Sequence, residues 1–382
     1  MPTPARPGAA RLPRTLLRPL AALALAAAAG SCTQAADPLW LGLQFPLTDG
    51  AGKPDVYGEL SRMGARLALD EINARGGVGG RPLRVRLVDD RGDGSAAIGA
   101  ADSLAGDDRI LAVVGPIYSS TTVAAAQVYE NARVPALATS ATAPSISALG
   151  PYIFRMASSD SANAVALAAA ARATGLRTAI LYSDEDYGQG LMRPFARALG
   201  GAVEEDPYDE AMPDFRPYLT RLKARGAQLV FIAGIDQGAR TLIPQARQVG
   251  LNARFMGGDG LEALKEETGP TFEGTMVGVL FHPDQSAKAR EFADAFRARW
   301  KREPDSSAAL AYDAVNLLAR ALAGGARTRE DVRRYLEHVG GDGGSPAFEG
   351  VAGPVAFDAN GDPRGKTCVI GVVHGGRIVL AR

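Results

Sequence analysis

From Leu39 onward, short β-rich runs alternate with amphipathic helical stretches, and no other feature constrains the fold as strongly. "LWLGLQF" (39–45) reads as a strand. Residues 56–75 read as a helix, with Leu60, Met63, Leu67, Ala68 and Ile72 on one arc and Glu59, Arg62, Arg66, Asp70 and Asn73 on the other. "GGVGG" (76–80) ends that helix, and "LRVRLVDD" then alternates as a strand does on leaving a turn. The rhythm continues through "GSAAIGAADSLAG", "ILAVVGP", "TTVAAAQVYENA" and "VPALATS". Such βαβ repetition predicts a parallel sheet with helices on both faces. After "YIFRMASSD" it restarts with "RTAILYSD", "QGLMRPFARAL", "AQLVFIAG", "GARTLIPQARQVG" and "ARFMGG", so two doubly wound α/β lobes are expected. From about His282, two or three long helices precede "GPVAFDANGDPRG", a strand and turn, and two final strands around "HGG".

A chain of 382 residues favours two domains over one. Lysine plus arginine equals aspartate plus glutamate at 42 each, which removes any global attraction to nucleic acid. The three histidines are scattered, against a metal or histidine-base site.

The first 36 residues read as a signal peptide rather than as part of the fold. Arg6, Arg11, Arg14 and Arg18 precede the apolar run "LAALALAAAAG", too short to span a bilayer comfortably and suited to export. "AGSC" ends at Cys32 and resembles the lipobox of bacterial lipoproteins, with Ala29 where leucine is usual. Cys32 is therefore the expected lipidation site, the alternative being cleavage near "QAAD" that discards it. Cys368, inside "TCVIGVV", reads as a small core residue, so the mature chain has no internal disulfide.

In open parallel sheets, ligands sit beyond the carboxyl ends of the strands. Two hydroxyl clusters fall there, "GPIYSSTT" (115–122) and "ATSATAPS" (138–145). Ser119 or Ser120, and Ser140 or Thr142 ahead of Pro144, stand where helix N-caps belong. Capping needs one hydroxyl per helix, and the surplus at two helix starts suits an anion such as a carboxylate. Asp259 in "GGDG" is either a turn aspartate or an acceptor for an ammonium. Tyr57 and Tyr187 sit at helix beginnings, where a tyrosine packs or offers a cleft an apolar wall with a polar tip.

Enzymatic readings fail on inspection. No G-x-S-x-G elbow is present, and "GGVGG" follows a helix rather than a strand. "DANGDPRG" has Pro363 where a calcium loop needs glycine and lacks the closing glutamate. Asp89 and Asp90 form a carboxylate pair without the partners that would specify a reaction. No catalytic, metal or cofactor site is expected.

The motifs "YGELSRMGARLALDEINARGGVGGRPLRV", "VVGPIYSSTT", "VPALATSATAP", "YSDEDYGQG", "FMGGDG" and "GPVAFDANGDPRG" occur in order. Over essentially all the chain from Leu39, they resemble the periplasmic leucine/isoleucine/valine-binding protein family, the type I solute-binding proteins of ABC transporters. The resemblance implies the type I periplasmic-binding-protein fold, two lobes joined by a three-strand hinge crossing near Ser158, Phe281 and Thr367. The N-terminal lobe would hold residues 37–158 and 282–367, the C-terminal lobe 159–281 and 368–382.

The resemblance further implies that Ser119, Thr142 and the backbone around Ser140 and Ala141 hold an α-carboxylate and part of an ammonium. Asp259 would take the ammonium from the other lobe, Tyr187 would stack on the ligand, and Tyr57 would stand near the cleft mouth. Tyr118 replaces a cysteine frequent in the family, and Ile235 and Ser307 replace two aromatics. The side-chain pocket is therefore walled differently. The implied ligand is an amino acid, branched-chain or otherwise apolar. An amide, urea-like compound or aromatic carboxylate is the alternative, as is a ligand-sensing receptor module. The implied partner is an inner-membrane ABC permease, the implied location periplasmic or lipid-anchored at the cell envelope, and the implied state a monomer.

Overall fold

Unbroken apolar runs such as "ILAVV" need cover on both faces, which a parallel sheet between helices supplies. In the computed structural model, which describes residues 1–5, 8 and 36–381 apart from 268 and 342, that is how they are used. Nearly all of the expected signal segment, Cys32 included, lies outside the described residues.

The first half of the chain gives β1 (Leu39–Phe45), α1 (Val56–Ala74), β2 (Leu83–Asp89), α2 (Gly94–Ala105), β3 (Ile110–Val114), α3 (Ser119–Ala132), β4 (Ala136–Ala138) and β5 (Ile153–Arg155). These strands form a five-stranded sheet in the order β2-β1-β3-β4-β5, every pairing parallel. Next come α4 (Asp160–Ala173), β6 (Thr178–Ser183), α5 (Asp186–Leu199), β7 (Glu205–Tyr208), α6 (Arg216–Ala224), β8 (Leu229–Ala233), α7 (Asp236–Gln248), β9 (Arg254–Gly257) and β10 (Met276–Val279). The last part supplies α8 (Ala287–Trp300), α9 (Ser306–Ala323), α10 (Arg329–Glu337), a small β11 (Phe348–Gly350) and β12 (Gly353–Val355) ribbon, then β13 (Val369–His374) and β14 (Arg377–Leu380). Among the described residues the second large sheet runs β14-β13-β10-β9-β8-β6-β7. Its β6 to β10 pairings are parallel, and β13 joins antiparallel to β10 and β14.

The alternation therefore reads out as two layered sheets, the first parallel and the second largely so, with the short strands β5, β7, β10 and β11 unforeseen. β7 has the sequence EDPY, and its charges and proline hide it from any periodicity. It is tolerated because it is an edge strand.

The chain leaves the first sheet after β5, and α8 to α10 return to cover that sheet. The close packing of α9 on α1 depends on Gly64, where an added Cβ would lie 2.0 Å from the Ala308 carbonyl oxygen. Arg329, at the start of α10, donates to the carbonyls of Ala105, Asp107 and Ile110. Cys368 is a free, buried thiol. Among the described residues no helix is long and apolar enough to cross a membrane.

In the first sheet the strand order reverses between β1 and β3, and in the parallel part of the second between β6 and β8. Crevices outside the carboxyl ends at such reversals are where open α/β sheets take ligands. Both open onto one cavity.

Candidate ligand-binding cleft

The cavity encloses about 270 Å³. Segments after β1 and β3 contribute Tyr57, Tyr118 and Ser119, and segments after β6, β8 and β9 contribute Tyr187, Ile235 and Asp259.

The two hydroxyl clusters meet. Ser119 Oγ accepts the Ala143 amide at 3.1 Å, tying the start of α3 to the segment after β4. Ser119 is 2% exposed and lines the cavity, as Ser120 and Ser140 do. Neither cluster caps a helix as expected. Tyr118 is the N-cap of α3 and makes no side-chain capping bond. Thr121 and Thr122 donate back to the Tyr118 carbonyl, at 3.1 and 2.8 Å, and neither lines the cavity. Pro144 opens only a 3-10 helix (Pro144–Ala148) whose N-cap is Ala143 and which makes no side-chain capping bond. The floor is therefore one α-helix start and one tight loop, with Ser119 joining them.

Two expected ligand contacts stand behind this floor. Ala141 is buried without lining the cavity, and Thr142 donates inward to Asp160 Oδ2 at 2.8 Å. Burial holds the Asp160 carboxyl well above the ordinary carboxylate range. Arg155, on β5, fixes the loop from beneath. Its Nη1 donates to the carbonyls of Thr142 and Ala143 at 3.1 and 2.9 Å, and Nε and Nη2 grip Asp362 bidentately. The "DANGDPRG" turn thus supplies the counter-ion for a guanidinium that is 0% exposed.

Across the cavity, Asp259 does not sit in a simple turn but opens a 3-10 helix (Asp259–Glu266). The Tyr187 hydroxyl donates to Asp259 Oδ1 at 3.0 Å and accepts the Gly260 amide at 3.1 Å. Burial, then the neighbouring charge of Asp160, raises the Asp259 carboxyl. The Tyr57 hydroxyl donates to the Gly260 carbonyl at 2.8 Å and accepts the Ala263 amide at 3.3 Å, bridging the two halves. Tyr118 meets Tyr57 edge-on, with ring centroids 6.4 Å apart, and donates to Asp55 Oδ2 at 2.7 Å. Asp55 also caps α1 through the Gly58 amide, and burial raises its carboxyl.

Further polar groups line the cavity unannounced by any motif. Glu210 accepts the Ile235 and Gly238 amides at the start of α7, and burial pushes its carboxyl up to about 7. Glu262 accepts the Ser306 amide at the start of α9 and pairs with Lys265 at 3.3 Å. Arg155 alone left a trace in the sequence. An arginine inside "YIFRMASSD" implies a buried charge with an internal partner, without saying which.

Two open sheets whose reversals share a cavity, with hydroxyls on one wall and an aspartate on the other, define a small-ligand binding protein. Residues 41–374 match the family described as Periplasmic binding protein. The Leucine-, isoleucine-, valine-, threonine-, and alanine-binding protein of Pseudomonas aeruginosa is 31% identical over 358 residues, covering 91% of this chain and 92% of its own. The branched-chain amino acid transporter substrate binding protein LivJ of Streptococcus pneumoniae, solved with isoleucine, is 27% identical with a TM-score of 0.79, over 90% of this chain and 99% of that one. A solute binding protein of an ABC transporter from R. palustris, solved with benzoate, has a TM-score of 0.79 at 20% identity over 90% and 95% of the two chains, a likeness of fold. The chain belongs to the periplasmic binding protein family, the type I solute-binding proteins of ABC transporters. It is a substrate-binding protein and not an enzyme.

Proposed function

We propose that the protein is exported and serves an ABC importer by closing on a free α-amino acid between its two lobes. One observation carries this reading: a hydroxyl floor joined by Ser119 faces an aspartate oriented by Tyr187 in a single cavity. The Ser119 hydroxyl would donate to the α-carboxylate together with main-chain amides at the start of α3. Asp259 would accept from the ammonium, a charge-assisted bond. Ser140 and Tyr118 complete the wall, and Tyr57 closes the mouth. The amino acids in the name of the Pseudomonas relative support an α-amino acid as ligand.

Closure is a hinge motion through the crossings near Ser158, Phe281 and Thr367, stabilised by contacts the ligand makes with both lobes. The closed monomer then delivers its ligand to a membrane permease. The basic and apolar N-terminus supports export to the periplasm or cell envelope, with Cys32 as the residue that would carry a lipid anchor.

Calorimetric titration of the ligand-stripped protein with the common amino acids, several amides and aromatic acids tests the reading. One α-amino acid should bind tightly, and Asp259→Ala should weaken it by about 2–5 kcal/mol. Binding confined to carboxylates without an amine, indifferent to Asp259→Ala, would overturn it.

A further inference from the structure

β6 and β7 run parallel with Ser183 opposite Tyr208, and the Asp184 amide donates to the Tyr208 carbonyl at 3.0 Å. The two chains therefore leave the sheet side by side. One brings Ser183 and Glu185 to the cavity, the other Asp209 and Glu210. This corner is distinct from Asp259, whose charged neighbours are Asp160 and Glu262, whereas those of Glu185 are Asp209 and Asp186.

Two of its groups, Ser183 and Glu185, have no side-chain hydrogen-bond partner among the described residues. Ser183 is 3% exposed and lines the cavity, and its hydroxyl has no hydrogen-bond partner among the described residues. A hydroxyl that opens to the cavity without a protein partner is free to meet a ligand. Glu185 is the N-cap residue of α5 but accepts no capping bond, and its carboxylate has no ion pair among the described residues. Asp209 uses one oxygen on the Ala211 amide. Glu210 is committed to two amides and to the Tyr208 hydroxyl. Burial, then Asp209 and Asp186, raise the Glu185 carboxyl, as uncompensated like charges should.

The whole cavity leans the same way. Among its described lining residues, seven carboxylates face one guanidinium, that of Arg91, which is exposed and comes from the other side of the cleft. An aliphatic side chain closed into this corner would strip water from Glu185 and Asp209 and give nothing in exchange. A cation would exchange water for charge-assisted hydrogen bonds.

We propose that the ligand's side chain ends in a cation, an ammonium or guanidinium, which donates to Glu185 and Asp209 and to the Ser183 oxygen. This rests on the α-amino-acid reading of the cleft. Ile235 and Ser307, neither of them aromatic, line the same cavity.

The test is calorimetric titration of the ligand-stripped protein with lysine, ornithine, arginine, leucine, valine and benzoate, repeated on E185Q/D209N. At least one basic amino acid should bind about ten-fold or more tighter than leucine, and the basic-to-leucine affinity ratio should fall about ten-fold in the variant. Circular dichroism verifies that the variant is folded, and Glu185→Gln alone serves should the pair fail to fold. Leucine or valine binding as tightly as every basic amino acid overturns this inference and leaves the amino-acid reading standing. So does a ratio unmoved by the variant. No binding of any basic amino acid overturns this inference, and benzoate binding while none of the common amino acids binds overturns both.

Discussion

Arg155 Nε and Nη2 each reach one oxygen of Asp362 at 2.6 Å, joining residues 207 positions apart. The same guanidinium holds two carbonyls of the loop behind the hydroxyl floor. Arg155→Met removes the pair and leaves Asp362 unpaired beneath the site, at a cost of about 3–5 kcal/mol. Arg155→Lys keeps the charge without the fork and should recover only part of that. Urea unfolding reads the stability and ligand titration reads the floor. An Arg155→Met midpoint equal to wild type would show the pair to be idle.

The raised Asp259 carboxyl gives a pH signature. In the unliganded fold it keeps its proton above the ordinary carboxylate range, so its contribution favours the fold at low pH and weakens as pH climbs toward the raised value. An ammonium prefers the carboxylate, and binding must then expel that proton. Affinity should therefore increase from about pH 5 to about pH 8, with proton release on binding. Titration in two buffers of different ionisation enthalpy measures the release. Proton uptake, or affinity falling across that range, would contradict the role of Asp259.

Tyr57→Phe removes a hydroxyl that serves two main-chain partners on the opposite side of the cleft. Each bond contributes about 1 kcal/mol net, so ligand affinity should drop several-fold to about thirty-fold. Stopped-flow kinetics should find most of the change in faster release. An unchanged release rate argues that the bridge plays no part in holding the closed state.

Gly64→Ala tests the contact between α1 and α9. The new methyl meets the Ala308 carbonyl oxygen at 2.0 Å, and both helices must shift. Overpacking of this kind costs about 1–3 kcal/mol and should lower the melting temperature without abolishing binding. A melting temperature equal to wild type would mean that the helices separate freely.

Most of the fold was legible because its strands are apolar runs and its helices carry one apolar arc. β7 was not, since an edge strand needs no such run, and with it went Asp209 and Glu210. Ser119, Asp259, Tyr187 and Tyr57 were legible as residues after strand ends, where topology alone directs attention. Thr142 was read toward the ligand because a hydroxyl's direction depends on the partner it finds, here Asp160. The capping roles failed for the same reason, with Tyr118 supplying backbone geometry where a hydroxyl was expected. The pairing of Arg155 with Asp362 spans the chain, and no local pattern encodes it.

The Tyr57 bridge ends on a carbonyl and an amide, not on side chains. Side-chain changes at Asp259 or Glu262, which line the cavity, can alter what the cleft prefers while both main-chain ends of the bridge stay in place. Gly260, by contrast, cannot change, because an added Cβ would lie 2.6 Å from the Gly234 carbonyl oxygen. The contact across the cleft and the side chains that face a ligand are thus separable inheritances, and a lineage could change the second without rebuilding the first.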